Sequence, residues 1–512
     1  MLIAAVDIGT SSTRALLFED TRATGVACAV EYPLRMPEPG AAELDPPQVM
    51  DALVACLRDA VRIAGRAPDA IVLSCAMHSL LAVAEDGTPL TPACTWADNR
   101  AAPQAAELLG RSDARSLYAT TGVPLHPMSP LPKLRWLARQ RPDEFARAAH
   151  FASLKEWVCH QWFGRWVVDD SIASASGLYS LAARDWSDAA VTAAGVTRDR
   201  LSEVARAHTV LRGMARGYAD AIGVPADIPV VLGAADGCLA NLGAGVLSGN
   251  GLRRAVLTIG TSGAFRLTVD RPATDERMRT FCYALTPGQF VIGGATNGGG
   301  LPLRWLRDNF PQLRIGLPDD ARDPYAVLAD IAAGVAPGAD GLLFHPYLAG
   351  ERAPLWNADA RASFIGLTFA HGPAHMVRAV MEGVLFNLAM ILDVLEDLAG
   401  GPVADIVAGG GFARSDLWLS MAADIFDRPI LVAENPETTA QGAALLALAA
   451  LVPGASLETL AAGLPAPSRS VKPVAATRER YRELRGIFAD IPDKLAPSYA
   501  ALAAFQRQPA RR

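Results

Sequence analysis

The sequence predicts an α/β protein of two domains, and three observations carry this. The chain has 512 residues, which at roughly 100–200 residues per domain is room for two or more. Ile8-Gly9-Thr10-Ser11 recurs as Ile259-Gly260-Thr261-Ser262, 251 residues later and close to half the chain. The second half alternates strand-like apolar runs with stretches of helical period, the pattern of α/β domains with mixed sheets.

Each copy of the repeat ends an apolar run, IAAVDIGTS or AVLTIGTS, and each precedes a second strand-like run, at 14–18 and at 264–269. Two domains, 1–245 and 246–512, are therefore expected to begin with the same strand–turn–strand element. Residues 245–251 (GVLSGNG) are the expected junction.

The opening forty residues read as a meander of strands at 2–8, 14–18 and 25–34 with Gly and Ser at the turns. Asp45 is placed to cap a helix with Pro46 at its first position. Val49, Leu53, Cys56, Leu57, Ala60 and Val61 then recur on one helical face. Residues 70–75 read as a buried strand, and 80–90 as a hairpin around Asp86-Gly87. In the second half a long helix is expected over 375–398, a strand over 405–408, a helix from near Ser415 and a strand over 429–433. Residues 477–487 are expected to form an arginine-rich surface helix, with ARR as a terminal tail.

Half the residues are apolar and a fifth are charged, a globular composition. The formal charge of −6 gives no general attraction to nucleic acid or to anionic lipid. Seven cysteines are scattered without a C-x-x-C pair, so neither a disulfide framework nor a zinc site is indicated. MLIAAV meets Asp7 too early to be a signal segment. The longest apolar run, 443–452, is about half of what spans a bilayer. A soluble protein of the reducing cytoplasm is expected. Four of the 47 basic residues are lysines: Lys133, Lys155, Lys472 and Lys494.

The two IGTS turns are the first candidates for chemistry. A Gly/Ser/Thr turn after a strand offers N–H groups and hydroxyls to a phosphate, although one such turn alone is as well explained as a tight hairpin. The pair, with Asp7 beside the first, favours phosphate. Asp7 could hold Mg²⁺ directly or through water. No Gly-Lys pair occurs, so a nucleotide site here is not a P-loop. Asp236, in GAADG after an apolar run, is placed either to accept a proton from a substrate hydroxyl or to cap a helix. Met77-His78-Ser79, Trp96-Ala97-Asp98-Asn99-Arg100, His126-Pro-Met-Ser129 and Lys155 form a polar set suited to a polyol or sugar acid. Each is also explicable as a capped loop or a core histidine. GGATNGGG (293–300) and Gly409-Gly-Gly411 with Arg414 and Ser415 suit close approach of a nucleotide to backbone. Glu351-Arg352 reads as a pair that pins a turn.

DIGTSSTR, GAADG, LTIGTSG, PYLAGERAPLWN, VAGGGFARSDLW and ETTAQGAA, in this order over about 2–451, resemble the FGGY family of carbohydrate kinases. The resemblance implies two actin-like, ribonuclease-H-like domains flanking a catalytic cleft. MHSLLAV, TWADNRA, HPMSPLPKL, VVDDSIASASGL and DGCLANLGAG resemble the gluconate-phosphorylating subgroup. Xylulose kinases usually carry glycine where Ser79 stands. The resemblance implies ATP-dependent phosphorylation of D-gluconate to 6-phosphogluconate, with ATP and Mg²⁺ as cofactors and closure of the domains around the substrates. By the same resemblance Asp236 is the general base, and Thr10, Ser11, Ser12 and Thr13 line one phosphate loop. Thr261 and Ser262 line the other. Gly300 and Arg304 lie along the nucleotide, and Gly410, Arg414 and Ser415 near the adenosine. Glycerol kinases carry Gln and Asn where Arg304 and Arg414 stand. His78, Ser79, Trp96 and Met128 line the sugar pocket together with Asp236. Lys155, Arg100 and His126 are the candidates for the gluconate carboxylate. A kinase for xylulose, ribulose or a similar polyol is the alternative, and an actin-like or chaperone-like ATPase a more distant one. The reading admits a homodimer without requiring it.

Overall fold

Seven residues, Leu2–Ile8 (β1), are buried almost throughout and pair antiparallel with Ser12–Glu19 (β2) across the four-residue turn that the sequence marks. β2 pairs in turn with Arg22–Glu31 (β3), which is the expected third strand beginning three residues earlier. This is a computed structural model, and it describes residues 1–249, 251–310 and 323–507. Asn250 of the expected junction and the expected tail at 510–512 lie outside the described residues. The chain groups into two compact units. The first comprises Met1–Asn250, Thr268–Ile292 and Glu437–Pro465, the second Gly251–Leu267, Gly293–Pro436 and Ala466–Arg512.

In the first unit, helix Pro46–Ala64 (α1) lays Val49, Leu53, Cys56, Leu57 and Ala60 into the core. Burying each leucine contributes roughly 1.5–3 kcal/mol. Pro46 stands in the first turn as expected, but Asp45 makes no side-chain cap. Its carboxylate instead accepts from Arg35 at 2.8 Å, a pairing invisible to local sequence. Ala70–Cys75 (β4) is buried along its whole length, as a strand sandwiched by neighbours on both faces must be. With Val210–Leu211 (β5) and Val230–Ala235 (β6) the sheet runs β5-β6-β4-β1-β2-β3. β1, β4 and β6 are parallel, and the outer pairings are antiparallel. Three helices that bear on the site follow in this unit: Pro130–Gln140 (α2), Leu154–Phe163 (α3) and Asp236–Gly243 (α4). The longest apolar run, 443–452, falls up to Leu451 in helix Thr438–Leu451, buried along Ala440–Leu448 and packed on α4, with Val452 as its C-cap.

The second unit repeats the plan. Arg254–Ile259 (β7) pairs antiparallel with Gly263–Val269 (β8), and parallel with Asp405–Gly409 (β9). β9 pairs parallel with Ile430–Val432 (β10), and β10 antiparallel with Arg469–Val471 (β11). The order β11-β10-β9-β7-β8 is that of β5-β6-β4-β1-β2. The duplication seen in four residues thus extends to strand order and direction. Leu301–Asn309 (α5) is a helix not expected from the sequence, whereas Pro373–Leu398 (α6) and Asp416–Phe426 (α7) stand where helices were expected.

The C-terminal helix corrects one expectation. It runs Ala475–Gln506 (α8) rather than 477–487, and it is not merely a surface element. Tyr481 and Phe488 are buried, and the Tyr481 hydroxyl donates to Glu382 at 2.7 Å and accepts from Arg378 at 3.0 Å. The arginines between them masked this inward stripe. All seven cysteines are free. Among the described residues no helix is long and apolar enough to cross a membrane.

Candidate active site

In the first unit the predicted catalytic residues collect at the carboxyl ends of β1, β4 and β6, the usual ligand edge of a parallel sheet. Asp7 on β1 is in register with Ser74 on β4, and Ser74 with Ala234 on β6. The Ser74 hydroxyl donates to Asp7 at 2.8 Å. Burial, and next the negative charge of Asp236, push the Asp7 carboxyl up to about 6. Two carboxylates therefore share one small region, and their mutual repulsion is felt.

A bulge sets Asp236. Gly233 lies at φ +70, and a Cβ there would stand 1.7 Å from the Leu73 carbonyl oxygen, so only glycine fits. The register of β6 shifts across it. The Ala235 N–H then donates to the Ser171 hydroxyl at 3.2 Å. Ala235 holds the cap position of α4, and Asp236 is its first helical residue. Its carboxylate accepts the adjacent Gly237 N–H at 2.7 Å and is half-buried. Asp236 thus lies within the first turn of α4 and not at the cap position that the sequence also allowed.

The turn after Ile8 is tied to the polar set. Gly9 N–H donates to the Ser12 carbonyl at 3.0 Å, and the Tyr32 hydroxyl to the Gly9 carbonyl at 2.7 Å. Trp96 Nε1 donates to the Thr10 hydroxyl at 2.9 Å, joining a predicted sugar residue to a predicted phosphate residue. Ser11 is exposed and Ser12 half-buried. Thr13 differs from them: it is fully buried, with its hydroxyl 3.2 Å from that of Tyr32.

His78 is buried at φ +70. Its Nδ1 lies 2.8 Å from the Ala175 carbonyl, which can only accept, so Nδ1 carries the proton. In the neutral ring Nε2 then accepts from Tyr283, 3.2 Å away. The Ser79 hydroxyl accepts the Leu154 N–H at the start of α3 at 3.1 Å. His126 is half-buried, and its Nδ1 accepts the Met128 N–H at 3.2 Å. Met128 is buried. Of the three candidates for a substrate carboxylate, two are engaged elsewhere. Lys155 is buried against Asp169 at 2.7 Å. Arg100 reaches Asp98 at 2.7 Å, Glu43 at 2.5 Å and Glu38 at 3.0 Å. Its guanidinium occupies the one group of potential metal ligands among the described residues, Glu43, Cys94 and Asp98.

Sequence reasoning missed three residues here. Lys133 on α2 is buried and donates to the carbonyls of His78, Thr95 and Met128 at 2.9, 2.5 and 2.7 Å. Its rarity as one of four lysines was the available signal. Ser74 and Ser171, which hold Asp7 and Ala235, carry no signal of their own.

In the second unit three glycine turns meet. Gly260 N–H donates to the Ser262 carbonyl at 2.9 Å, and Gly300 N–H to the Gly260 carbonyl at 2.6 Å. Leu301 N–H reaches the Thr261 carbonyl at 3.2 Å. A Cβ at Gly299 would lie 2.3 Å from the Ser262 backbone, and one at Gly410, at φ +88, would lie 2.5 Å from the Ile259 carbonyl oxygen. Thr261 is exposed and Ser262 half-buried. Arg304 on α5 is largely exposed, 3.7 Å from Asp308. Arg414 is exposed, and Ser415 caps α7 through the Trp418 N–H at 3.4 Å. Glu351 and Arg352 do pin a turn, namely this one. Glu351 accepts the Asn297 N–H at 2.7 Å, and Arg352 donates to the Thr296 carbonyl at 2.9 Å. Burial pushes Glu351 up to about 7.

The comparisons agree with this architecture. Residues 2–243 match the family model for the N-terminal domain of the FGGY carbohydrate kinases, and residues 255–451 that for the C-terminal domain. A gluconokinase of Bacillus subtilis is 40% identical over 98% of both chains. The crystal structure of a gluconate kinase from Lactobacillus acidophilus is 31% identical, with a TM-score of 0.90 over 98% of this chain and 100% of that one. A ligand-bound xylulose kinase from the same organism is also 31% identical, with a TM-score of 0.91 over 98% of this chain and 99% of that one. The resemblance read from six motifs and the duplicated fold lead to one identification: this chain is a carbohydrate kinase and belongs to the FGGY family.

Proposed function

We propose that this kinase transfers the γ-phosphoryl group of ATP to the 6-hydroxyl of D-gluconate, giving 6-phosphogluconate and ADP. The observation that carries the chemistry is the half-buried Asp236 carboxylate, held at a strand end by a bulge and a helix start. Whole-chain identity to gluconokinases, well above the 27% found with a xylulose kinase of Bacillus subtilis, supports the substrate.

In this reading Asp236 accepts the hydroxyl proton as the sugar oxygen bonds to the γ-phosphorus and the bond to the ADP oxygen breaks. His78, Ser79, Trp96 and Met128 orient the sugar, and Thr10, Ser11 and Ser12 bind phosphate oxygens. Thr13 supports that turn from within. Thr261, Ser262, Gly300, Arg304, Gly410, Arg414 and Ser415 hold the nucleotide. Gly299 and Gly410 let these turns pack directly on the Ser262 and Ile259 backbone, where a Cβ would clash, and so fix the loops assigned to the nucleotide.

Mg²⁺ fits the first unit. Asp7 and Asp236 are hard oxygen donors, and the crowding that raises Asp7 is relieved by a cation. Asp7 would hold the ion, which when bound supplies charge neutralisation on the phosphates. With Lys155 and Arg100 engaged by carboxylates, the substrate carboxylate is not assigned to either.

A substrate panel with coupled ADP detection tests the reading. Gluconate should give the highest kcat/KM among gluconate, D-xylulose, ribulose and glycerol. Turnover of D-xylulose with gluconate inert would overturn the substrate while leaving the kinase chemistry in place. The ligand-bound xylulose kinase structure makes that the second reading.

A further inference from the structure

We propose that Lys133 is the positioning residue of the sugar pocket, its buried ammonium acting as a three-way clamp on the segments that carry His78, Trp96 and Met128. The proposal rests on the assignment of those residues to sugar binding.

The geometry is specific. Lys133 is 1% exposed, yet its hydrogen-bond partners are not carboxylates. They are the carbonyls of His78 at 2.9 Å, Thr95 at 2.5 Å and Met128 at 2.7 Å. An ammonium has three protons and no acceptor, so each proton has one carbonyl and the set is complete. Thr95 immediately precedes Trp96, and Ser79 follows His78. All four residues assigned to the sugar are therefore either bonded through their own carbonyl to this nitrogen or adjacent to one that is. The His78 and Thr95 segments are already joined by the paired backbone bonds of Leu80 and Cys94, at 3.0 and 2.8 Å, whereas among the described residues no backbone bond ties the Met128 segment to either, so Lys133 is what adds the third segment to the other two.

A buried charge held only by neutral dipoles is costly. Desolvation lowers the Lys133 ammonium to about 8. An apolar side chain of the same length would leave three buried carbonyls without this donor, so filling the space does not by itself explain a lysine here. A shared donor does explain it. Moving any one carbonyl leaves a buried N–H unmet, so the three segments are fixed as a group. Positioning a sugar hydroxyl requires that kind of joint rigidity.

The experiment compares Lys133→Met with wild type in the Mg²⁺·ATP assay, using whichever panel sugar the wild type turns over. A wild type inert toward gluconate therefore overturns the substrate alone, and the Lys133 comparison proceeds with the sugar that works. We expect the sugar KM to rise at least ten-fold and the ATP KM to stay within two-fold, with a lower thermal midpoint because three buried carbonyls lose their donor. An unchanged sugar KM overturns the proposal. So does an equal rise in both KM values, which would mark general loosening.

If Lys133→Met does not fold, the wild-type pH profile decides. Cys94, Asp98 and Arg100 are the titratable and charged groups that face Lys133, and burial pushes the Cys94 thiol up to about 11. Between pH 7 and 9.5 the ammonium loses a proton, leaving two donors for three carbonyls. The sugar KM should rise at least three-fold across that range while the ATP KM holds. A flat sugar KM overturns the clamp.

Discussion

The turn after Ile8 and the turn after Ile259 share one backbone plan and differ in what surrounds them. Each closes a hairpin with a Gly N–H, at 3.0 Å to Ser12 and 2.9 Å to Ser262. Each lies beside a parallel strand, β4 or β9. Asp7 occupies the register position that Thr258 holds in the second copy, 251 residues on. Opposite Asp7 stands Ser74, whereas opposite Thr258 stands Gly409. The first turn thus has carboxylates and a hydroxyl donor around it, and the second has bare glycine backbone. Duplication copies the turn, and the side chains around the two copies then differ. The proposed division gives proton transfer and metal to the first unit and nucleotide binding to the second.

The largest test of that division is Asp236→Asn. Turnover should fall by about 10²–10⁴-fold, the usual worth of a positioned general base, with sugar affinity measured by calorimetry kept within a few-fold. Near wild-type turnover would remove Asp236 from the mechanism and erase the contrast. Next comes the glycine side. Gly410→Ala should raise the ATP KM at least ten-fold and cost roughly 1–3 kcal/mol of stability, from positive φ and the clash with Ile259. The sugar KM should stay within two-fold. An effect on sugar rather than ATP would reverse the assignment of the units.

The smallest effect concerns the support beneath the second turn. Glu351 is raised to about 7, so the folded state holds its proton more tightly than the unfolded chain does. Its contribution is therefore favourable at low pH and is lost as pH rises from about 4.5 to about 7, by an amount of the order of 1–3 kcal/mol. Glu351→Gln should remove that slope, apart from a constant offset where the new amide faces Asn387. The wild-type melting temperature relative to the variant should drop between pH 5 and pH 8. Parallel pH curves would show that Glu351 does not titrate in this range.

Much of the fold was legible because its signals are local. A four-residue repeat, strand-length apolar runs and helical periodicity located β1, β4, β7, β9 and α6. Asp45 and the C-terminal helix were misjudged for a common reason. Their decisive partners, Arg35 for one and Arg378 with Glu382 for the other, come from other elements. Lys155 and Arg100 were reasonable anion binders until Asp169, Glu43, Asp98 and Glu38 proved to hold them.

By itself the sequence determined the class of protein, the duplication, the two repeated turns and the acid beside the first of them. These follow from residue type and short-range spacing, since backbone conformation at Gly, Ser and Thr is a local preference. Tertiary structure alone decided which charges are available and which are already paired. It set Asp7 against Asp236, closed Arg100 among carboxylates and placed Lys133 under three carbonyls. Those outcomes depend on distance and desolvation between residues far apart in the chain, and no linear pattern encodes them.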